Sequence, residues 1–363
     1  MTSPPPRNGH APLGGRVLVA RLDNAGDVLL AGPCVRAVAA GSESVVLLAG
    51  PHGRAAGELL PGVDRVETVR APWIDPQPPP TTRELVDDLV RRIRALRVDA
   101  ALILTSFHQS PLPTALLLRM AGVGWVGAIS EDYPGSLLDL RHRVSGDPPE
   151  PQRALSLAEA AGYRLPAGDD GRLAVRRPLP DVSALTGPPG YLVLHPGASV
   201  PARRQSAPKA AELARALAEA GHRVLVTGSR SERELTARVA GRHAVDLGGV
   251  TDLAGLASVL ADAAVLVAPN TGPAHLAASV GTPVVSLFAP VVPAARWAPY
   301  RVPTRVLGDQ HAPCQHTRAR VCPVPGHPCL DSIRPGHVLA AVDELMTTEP
   351  ITTELMARTE GAR

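Results

Sequence analysis

Apolar residues fall into two patterns along the chain: short unbroken runs, and longer stretches where they return every three or four positions. The runs Arg16 to Leu22, Val45 to Ala49, Ala100 to Thr105, Tyr191 to Leu194 and Arg223 to Thr227 predict buried strands, as do the two that flank the turn at 270–273. The helical period predicts helices over 27–40, 83–97, 114–120, 153–161, 208–220, 252–261 and 335–346. Pro33 inside the first of these predicts a kink. Strands alternate with helices in both halves, and 363 residues exceed the size at which one core keeps growing. The expected fold class is therefore α/β, with two Rossmann-like domains facing across a cleft. Residues 165–190, dense in Pro, Gly and Asp, read as the linker. The expected organisation is a disordered leader over 1–15, an N-terminal domain over 16–175, a C-terminal domain over 176–346 and a flexible tail over 347–363.

The stretch Val265 to Ala289 organises the rest: an apolar strand, the turn Asn270-Thr271-Gly272-Pro273, a short helix carrying His275, and a second apolar strand. Pro273 suits a first helical turn, and Gly272 lets backbone amides come close to a ligand. Free amides and the helix dipole, the latter worth about 0.3–1 kcal/mol, favour phosphate there. Taken alone, the same residues read equally well as a helix cap with a core histidine. Two further loops follow strands in this half: 196–199, with Gly197 and Ser199, and 229–232, with Glu232. Arg203 and Arg204 suit a bidentate clamp on a diphosphate, and Glu232 suits ribose hydroxyls. Ser231 to Glu234 has capping-box spacing and predicts the next helix. In the first half Asp27 stands at a strand-to-helix junction, where open parallel sheets take ligands. An acid that simply complements the helix dipole is the commoner role for such an aspartate.

Composition narrows the classes. Hydrophobic residues make up 45% but aromatics only 2%, so the cores are expected to be built from Leu, Val and Ala. Net charge is +3, Lys209 is the only lysine, and basic runs are lacking, which argues against nucleic acid. The first fifteen residues hold Pro and Gly where a signal peptide needs an apolar core, and no apolar stretch is long enough to span a bilayer. The expected location is the cytoplasm, with peripheral contact at the inner membrane face open for a lipid-carried acceptor. Gly122 to Gly127 matches the dinucleotide fingerprint literally but follows the helical-looking Thr114 to Met120 and precedes Ala128-Ile129 and a turn, the wrong order for strand, phosphate loop and helix. Arg91, Arg92, Arg94 and Arg97 read as a solvated helix face, and Cys34 as core. Cys314, Cys322 and Cys329 lie with His327 in a Pro-rich loop, and three thiols with one histidine can close a zinc site. Their spacings of seven and six intervening residues are not those of a zinc ribbon, and a reduced structural loop without metal is the expectation.

Four segments together carry a resemblance: RVLVARLDNAGDVLLAGP (16–33), LHPGASVPARR (194–204), VTGSRSERE (226–234) and APNTGPAHLAASVGTPVVSLFAP (268–290). In this order they resemble glycosyltransferase family 9, the ADP-heptose:lipopolysaccharide heptosyltransferases of GT-B fold, over about 16–346. The resemblance implies sugar transfer with inversion from a nucleotide diphosphate donor to a glycan or glycoside hydroxyl, with Asp27 as general base. It implies that Thr271, Gly272 and His275 hold the diphosphate, that Gly197 and Ser199 line it, and that Glu232 contacts ribose. Arg203 stands where the family commonly has lysine and would neutralise the leaving group. Asn270 replaces a frequent aspartate and Gln205-Ser206 a common Trp-Pro, both bordering the donor pocket. The lack of an Asp-x-Asp triad agrees with metal-independent transfer, with no cofactor beyond the donor. The acceptor is expected near Trp73, Phe107, His108 and Gln109. Two alternatives stay open: a sugar-nucleotide epimerase or isomerase of the same architecture, and a non-catalytic nucleotide-sugar-binding protein.

Overall fold

Among the described residues every strand is parallel to its neighbours, as expected when helices cover both faces of a sheet and its central strands are apolar throughout. The computed structural model describes residue 11 and residues 14–347. The first sheet comprises β1 (Arg16–Arg21), β2 (Ser44–Ala49), β3 (Arg65–Thr68), β4 (Ala100–Leu104), β5 (Trp125–Ile129) and β6 (Leu140–His142), in the order β3-β2-β1-β4-β5-β6. The second comprises β7 (Tyr191–Leu194), β8 (Val224–Val226), β9 (Val245–Asp246), β10 (Ala263–Pro269), β11 (Val284–Leu287) and β12 (Thr304–Leu307), in the order β12-β11-β10-β7-β8-β9. Counted within each half, the two orders are the same doubly wound arrangement.

The predicted strands are all present, and all lie in the sheet interiors. The apolar pattern does not predict the interior strand β5, which has Gly127 at its centre, nor β3, β6, β9 and β12, which are the four sheet edges. The edge strands are short and fully or partly exposed, so they lack an unbroken apolar run. The helix expected over 27–40 is two helices, Ala25–Leu30 and Gly32–Ala40, because Pro33 can begin a helix but not continue one. The Gly122 to Gly127 match runs from a turn after the helix Leu112–Met120 into β5, which confirms its reading as no phosphate loop. Cys34 is fully buried, as expected, and burial pushes its thiol up to about 12. Arg92 departs from the solvated face, reaching the Glu67 carboxylate and the Thr68 carbonyl on β3. Most of the leader and tail falls outside the described residues; Ala11 is buried, its N–H on the Ala161 carbonyl at 2.9 Å. Among the described residues no helix is long and apolar enough to cross a membrane.

Candidate active site

Each sheet reverses its direction of growth once, between β1 and β4 and between β7 and β10, and the crevice beyond such a switch point is where open α/β sheets take ligands. The loops leaving these four strands meet across one cleft of about 440 Å³. Asp27, Phe107, His108 and Gln109 line it from the first half, and Ser199, Arg203, Asn270, Thr271, Gly272 and His275 from the second. Arg318 and Arg320 of the Cys-rich loop complete the wall. The two halves touch at this point. A Cβ on Gly26 would stand 3.0 Å from His275 Cδ2 and 3.2 Å from Gly272 Cα, so the residue before Asp27 must be glycine for the helix starts to approach.

Asp27 opens the helix Ala25–Leu30, with its Oδ2 accepting the Asn24 N–H at 3.3 Å. Its Oδ1 accepts Arg21 Nη2 at 3.1 Å. Arg21, the last residue of β1, is 2% exposed and is surrounded by acceptors: Asp23 Oδ2 at 3.1 Å from Nε, Ser106 Oγ at 3.1 Å from Nη2, and Glu150 Oε2 at 3.8 Å from Nη1. Burial works against the Arg21 charge, but Asp23, Asp27 and Glu150 outweigh it and hold the guanidinium more firmly protonated than usual. Burial likewise raises Asp23 and Glu150 above the ordinary carboxylate range, against the pull of Arg21. Arg153 also pulls Glu150 down, 3.6 Å away. Gln109 fixes the second Asp23 oxygen at 2.6 Å. This buried network escaped sequence reasoning. Its one legible sign is an arginine at the end of an otherwise apolar strand, a position that demands partners.

On the other side, Thr271 precedes the helix Gly272–Val280, with Pro273 in its first turn as anticipated. His275 is 4% exposed; burial, then Arg203, push it down to about 4, so it is neutral at physiological pH. Arg203 is lowered by burial and by repulsion from Arg318 and Arg320, and is supported by Asp27 across the cleft. Among the described residues His275 Nδ1 and Arg203 Nε are buried without a hydrogen-bond partner, polar atoms that the oxygens of an anionic ligand can satisfy. Gly197 and Glu232, which are not among the residues that line this cleft, stand against each other: a Cβ on Gly197 would lie 2.0 Å from Glu232 Oε1. Burial opposes the Glu232 charge, yet the Ser229 backbone and hydroxyl hydrogen bonds hold its carboxyl below the usual range, with His195 and Arg204 adding to them. The capping box is thus Ser229 with Glu232, opening the short 3-10 turn Arg230–Glu232, two residues ahead of the expected Ser231 with Glu234. Arg204 lies on the Glu232 side and does not line the cleft beside Arg203.

A second cavity of about 390 Å³ shares Phe107, His108 and Gln109 with the cleft and continues to Glu131, Asp132 and Arg153. Arg296 of the second half covers it, its guanidinium 3.9 Å from the Phe107 ring centre and paired with Asp147. Of the residues expected near an acceptor, Trp73 does not take part: its indole N–H donates to Thr114 Oγ1 at 3.0 Å, within the packing of the first sheet. In the Cys-rich loop, Cys314 and Cys329 are buried in the second core and Cys322 packs at its margin. The His327 imidazole is engaged with the Ala202 carbonyl at 3.1 Å. Among the described residues no cluster of three or more His, Cys, Asp or Glu side chains is arranged to hold a metal.

The sequence model of glycosyltransferase family 9 (heptosyltransferase) matches residues 86–327. The chain belongs to this family. Asp27 lies ahead of the matched segment. Lipopolysaccharide heptosyltransferase 1 of Pseudomonas aeruginosa is 32% identical over 240 residues, which span 63% of this chain and 65% of that protein, just under two thirds of its length. A family 9 glycosyl transferase of Veillonella parvula superposes with TM-score 0.73 at 17% identity, covering 93% of this chain and 99% of its own. ADP-heptose lipopolysaccharide heptosyltransferase II of E. coli superposes at 0.69 with 20% identity, covering 91% and 98%. The family 9 chain therefore has the GT-B arrangement of two parallel α/β sheets.

Proposed function

We propose that the protein transfers a sugar, heptose or a close relative, from a nucleoside diphosphate donor to an acceptor hydroxyl, with inversion at the anomeric carbon and without a metal. In this reading residues 16–175 form the acceptor domain and 176–346 the donor domain. The observation that carries it is the shared cleft: Asp27, held by Arg21 and Asn24, faces the helix start Thr271–His275 and Arg203. Asp27 takes the proton of the acceptor hydroxyl as that oxygen bonds to the anomeric carbon. The bond from that carbon to the diphosphate breaks on the opposite face, and its electron pair leaves with the nucleoside diphosphate. A positioned base contributes about 10²–10⁴-fold. Arg203 meets the charge that develops on the leaving group, the kind of electrostatic contribution that is usually larger. Asn270, Thr271, Gly272 and His275 seat the diphosphate, Gly197 and Ser199 line its approach, and Glu232 receives the ribose.

The match to a lipopolysaccharide heptosyltransferase supports heptose as the sugar and an envelope glycan as acceptor, and the likeness to an ADP-heptose heptosyltransferase suits an ADP-linked donor; in this reading the reaction runs in the cytoplasm at the inner membrane face. The test is calorimetric titration with ADP, GDP, UDP, CDP and dTDP, followed by transfer assays of wild type and Asp27→Asn with and without EDTA. Asp27→Asn is expected to abolish transfer while leaving nucleotide affinity nearly unchanged, and EDTA to have no effect on the wild type. A large affinity loss would make Asp27 structural, and donor turnover without acceptor would favour an epimerase.

A further inference from the structure

The loop between β12 and the last helix, Pro335–Thr347, is placed more firmly than its Pro-rich sequence suggests. Cys314 and Cys329 bury it against the second core. Ala202 donates its N–H to the Arg320 carbonyl at 3.0 Å, Gln205 Nε2 donates to the Leu330 carbonyl at 2.9 Å, and the Ser206 N–H donates to Asp331 Oδ1 at 3.0 Å. The loop is thus laced to the very segment that carries Arg203. At its tip Arg318 has φ 58°, a left-handed conformation that side chains rarely adopt, and its N–H is held by the Val291 carbonyl at 2.8 Å. Arg318 and Arg320 consequently face the cleft beside Arg203, and among the described residues none of the three pairs with a carboxylate at ion-pair distance. Three guanidiniums line one cleft, Arg318 and Arg320 each repelling Arg203 and Asp27 alone supporting it from the facing wall, which makes a site for a multiply charged anion.

We propose that Arg318 and Arg320 join Arg203 in a guanidinium triad that binds the donor diphosphate, which makes the Cys-rich loop part of the donor site. This rests on the donor reading given above and extends it. One arginine balances one charge, but the diphosphate arrives with more than one and gains another when its bond to the sugar breaks. The triad supplies what a single arginine lacks, and its contacts strengthen as that charge develops.

The experiment is calorimetric titration of ADP and AMP into the full chain and into Arg318→Ala, Arg320→Ala and the corresponding lysine variants, at two salt concentrations, with thermal midpoints recorded. ADP affinity is expected to fall about tenfold or more in each alanine variant, as when a charge-assisted contact is lost. AMP affinity should fall much less, and the salt dependence of ADP binding should flatten. Lysine should recover most of the affinity, which separates lost charge from lost packing. Where ADP binds the wild type and the alanine variants alike, or where AMP and ADP weaken together, the triad is wrong although the donor site stands. A wild type that binds none of the nucleoside diphosphates overturns the donor reading, and the triad with it.

Discussion

Replacing Gly26 by alanine tests whether the close approach of the two halves sets the geometry of transfer. The new methyl would meet His275 Cδ2 at 3.0 Å and Gly272 Cα at 3.2 Å. Carbon atoms pack without strain from about 3.5 Å, so the helix start and the Asp27 turn must separate by about 0.3–0.5 Å. Overpacking of this kind costs about 1–3 kcal/mol, partly offset by the about 0.5–1 kcal/mol that alanine gains over glycine inside a helix. The larger effect falls on rate, since a displacement of about 1 Å can cost about 10²-fold. Gly26→Ala is expected to lose about tenfold or more in kcat with a small drop in thermal midpoint. The control is Gly32→Ala in the next helix, where a Cβ would meet Leu60 Cδ2 at an ordinary 3.4 Å. That variant should keep full rate and a midpoint equal to or above the wild type. Single-turnover transfer with saturating donor reads the difference. If Gly26→Ala turns over as fast as Gly32→Ala, contact between the halves does not set the geometry of the reaction.

Two further outcomes follow from the buried charges. Arg21→Met strands Asp23, Asp27 and Glu150 without their shared cation, at about 3–5 kcal/mol, and lets burial raise Asp23 and Glu150 further. A carboxylate with a raised native pKa loses stability as pH rises through that value, so the deficit against wild type should be larger at pH 7 than at pH 5 in urea unfolding. An equal deficit at both would show that lost packing, not lost charge, is responsible. His275, pushed down to about 4 from 6.5, acts in the other direction. Between pH 6.5 and 4 the unfolded chain takes up a proton that the native one refuses, so stability falls with pH by about 3 kcal/mol for this residue. His275→Gln should therefore lose less stability than wild type between pH 7 and 4.5, and parallel curves would contradict the buried neutral imidazole.

The interior of the fold was legible because a central parallel strand is apolar on both faces and leaves an unbroken run, as in β1, β4 and β10. Edge strands carry no such mark. The residues on β9, Val245 and Asp246, are both exposed, and only pairing with β8 makes them a strand. The site divides in the same way. Thr271, Gly272, Pro273 and His275 are neighbours in sequence and announce a helix start, and Asp27 announces the strand-to-helix junction it occupies. Arg21 is explained only by Ser106 and Glu150, which arrive from distant segments. Arg318 and Arg320 reach the cleft through hydrogen bonds from Ala202 and Gln205 to their loop, which no local pattern encodes. Ser229 and Ser231 both have a glutamate three residues on, so spacing alone could not choose between them. The Ser229 N–H and hydroxyl, both donating to Glu232 Oε2 beside Gly197 and His195, decide for Ser229.

The two halves share a topology but divide the charge. Carboxylates gather on the first wall, where Asp23, Asp27 and Glu150 surround Arg21, and guanidiniums gather on the second, where Arg203, Arg318 and Arg320 stand together. The proposed reaction needs this separation, because a base must keep its affinity for a proton while the leaving group must meet positive charge. Asp27 and Arg203 nevertheless sense each other across the cleft, so on the proposed reading the base is also a counter-charge to that arginine before a donor arrives. A diphosphate seated against Arg203 takes over that role. Asp27 is then no longer engaged as the counter-ion of Arg203. On the proposed reading, the acceptor therefore meets an Asp27 free of Arg203 only after the nucleotide is in place.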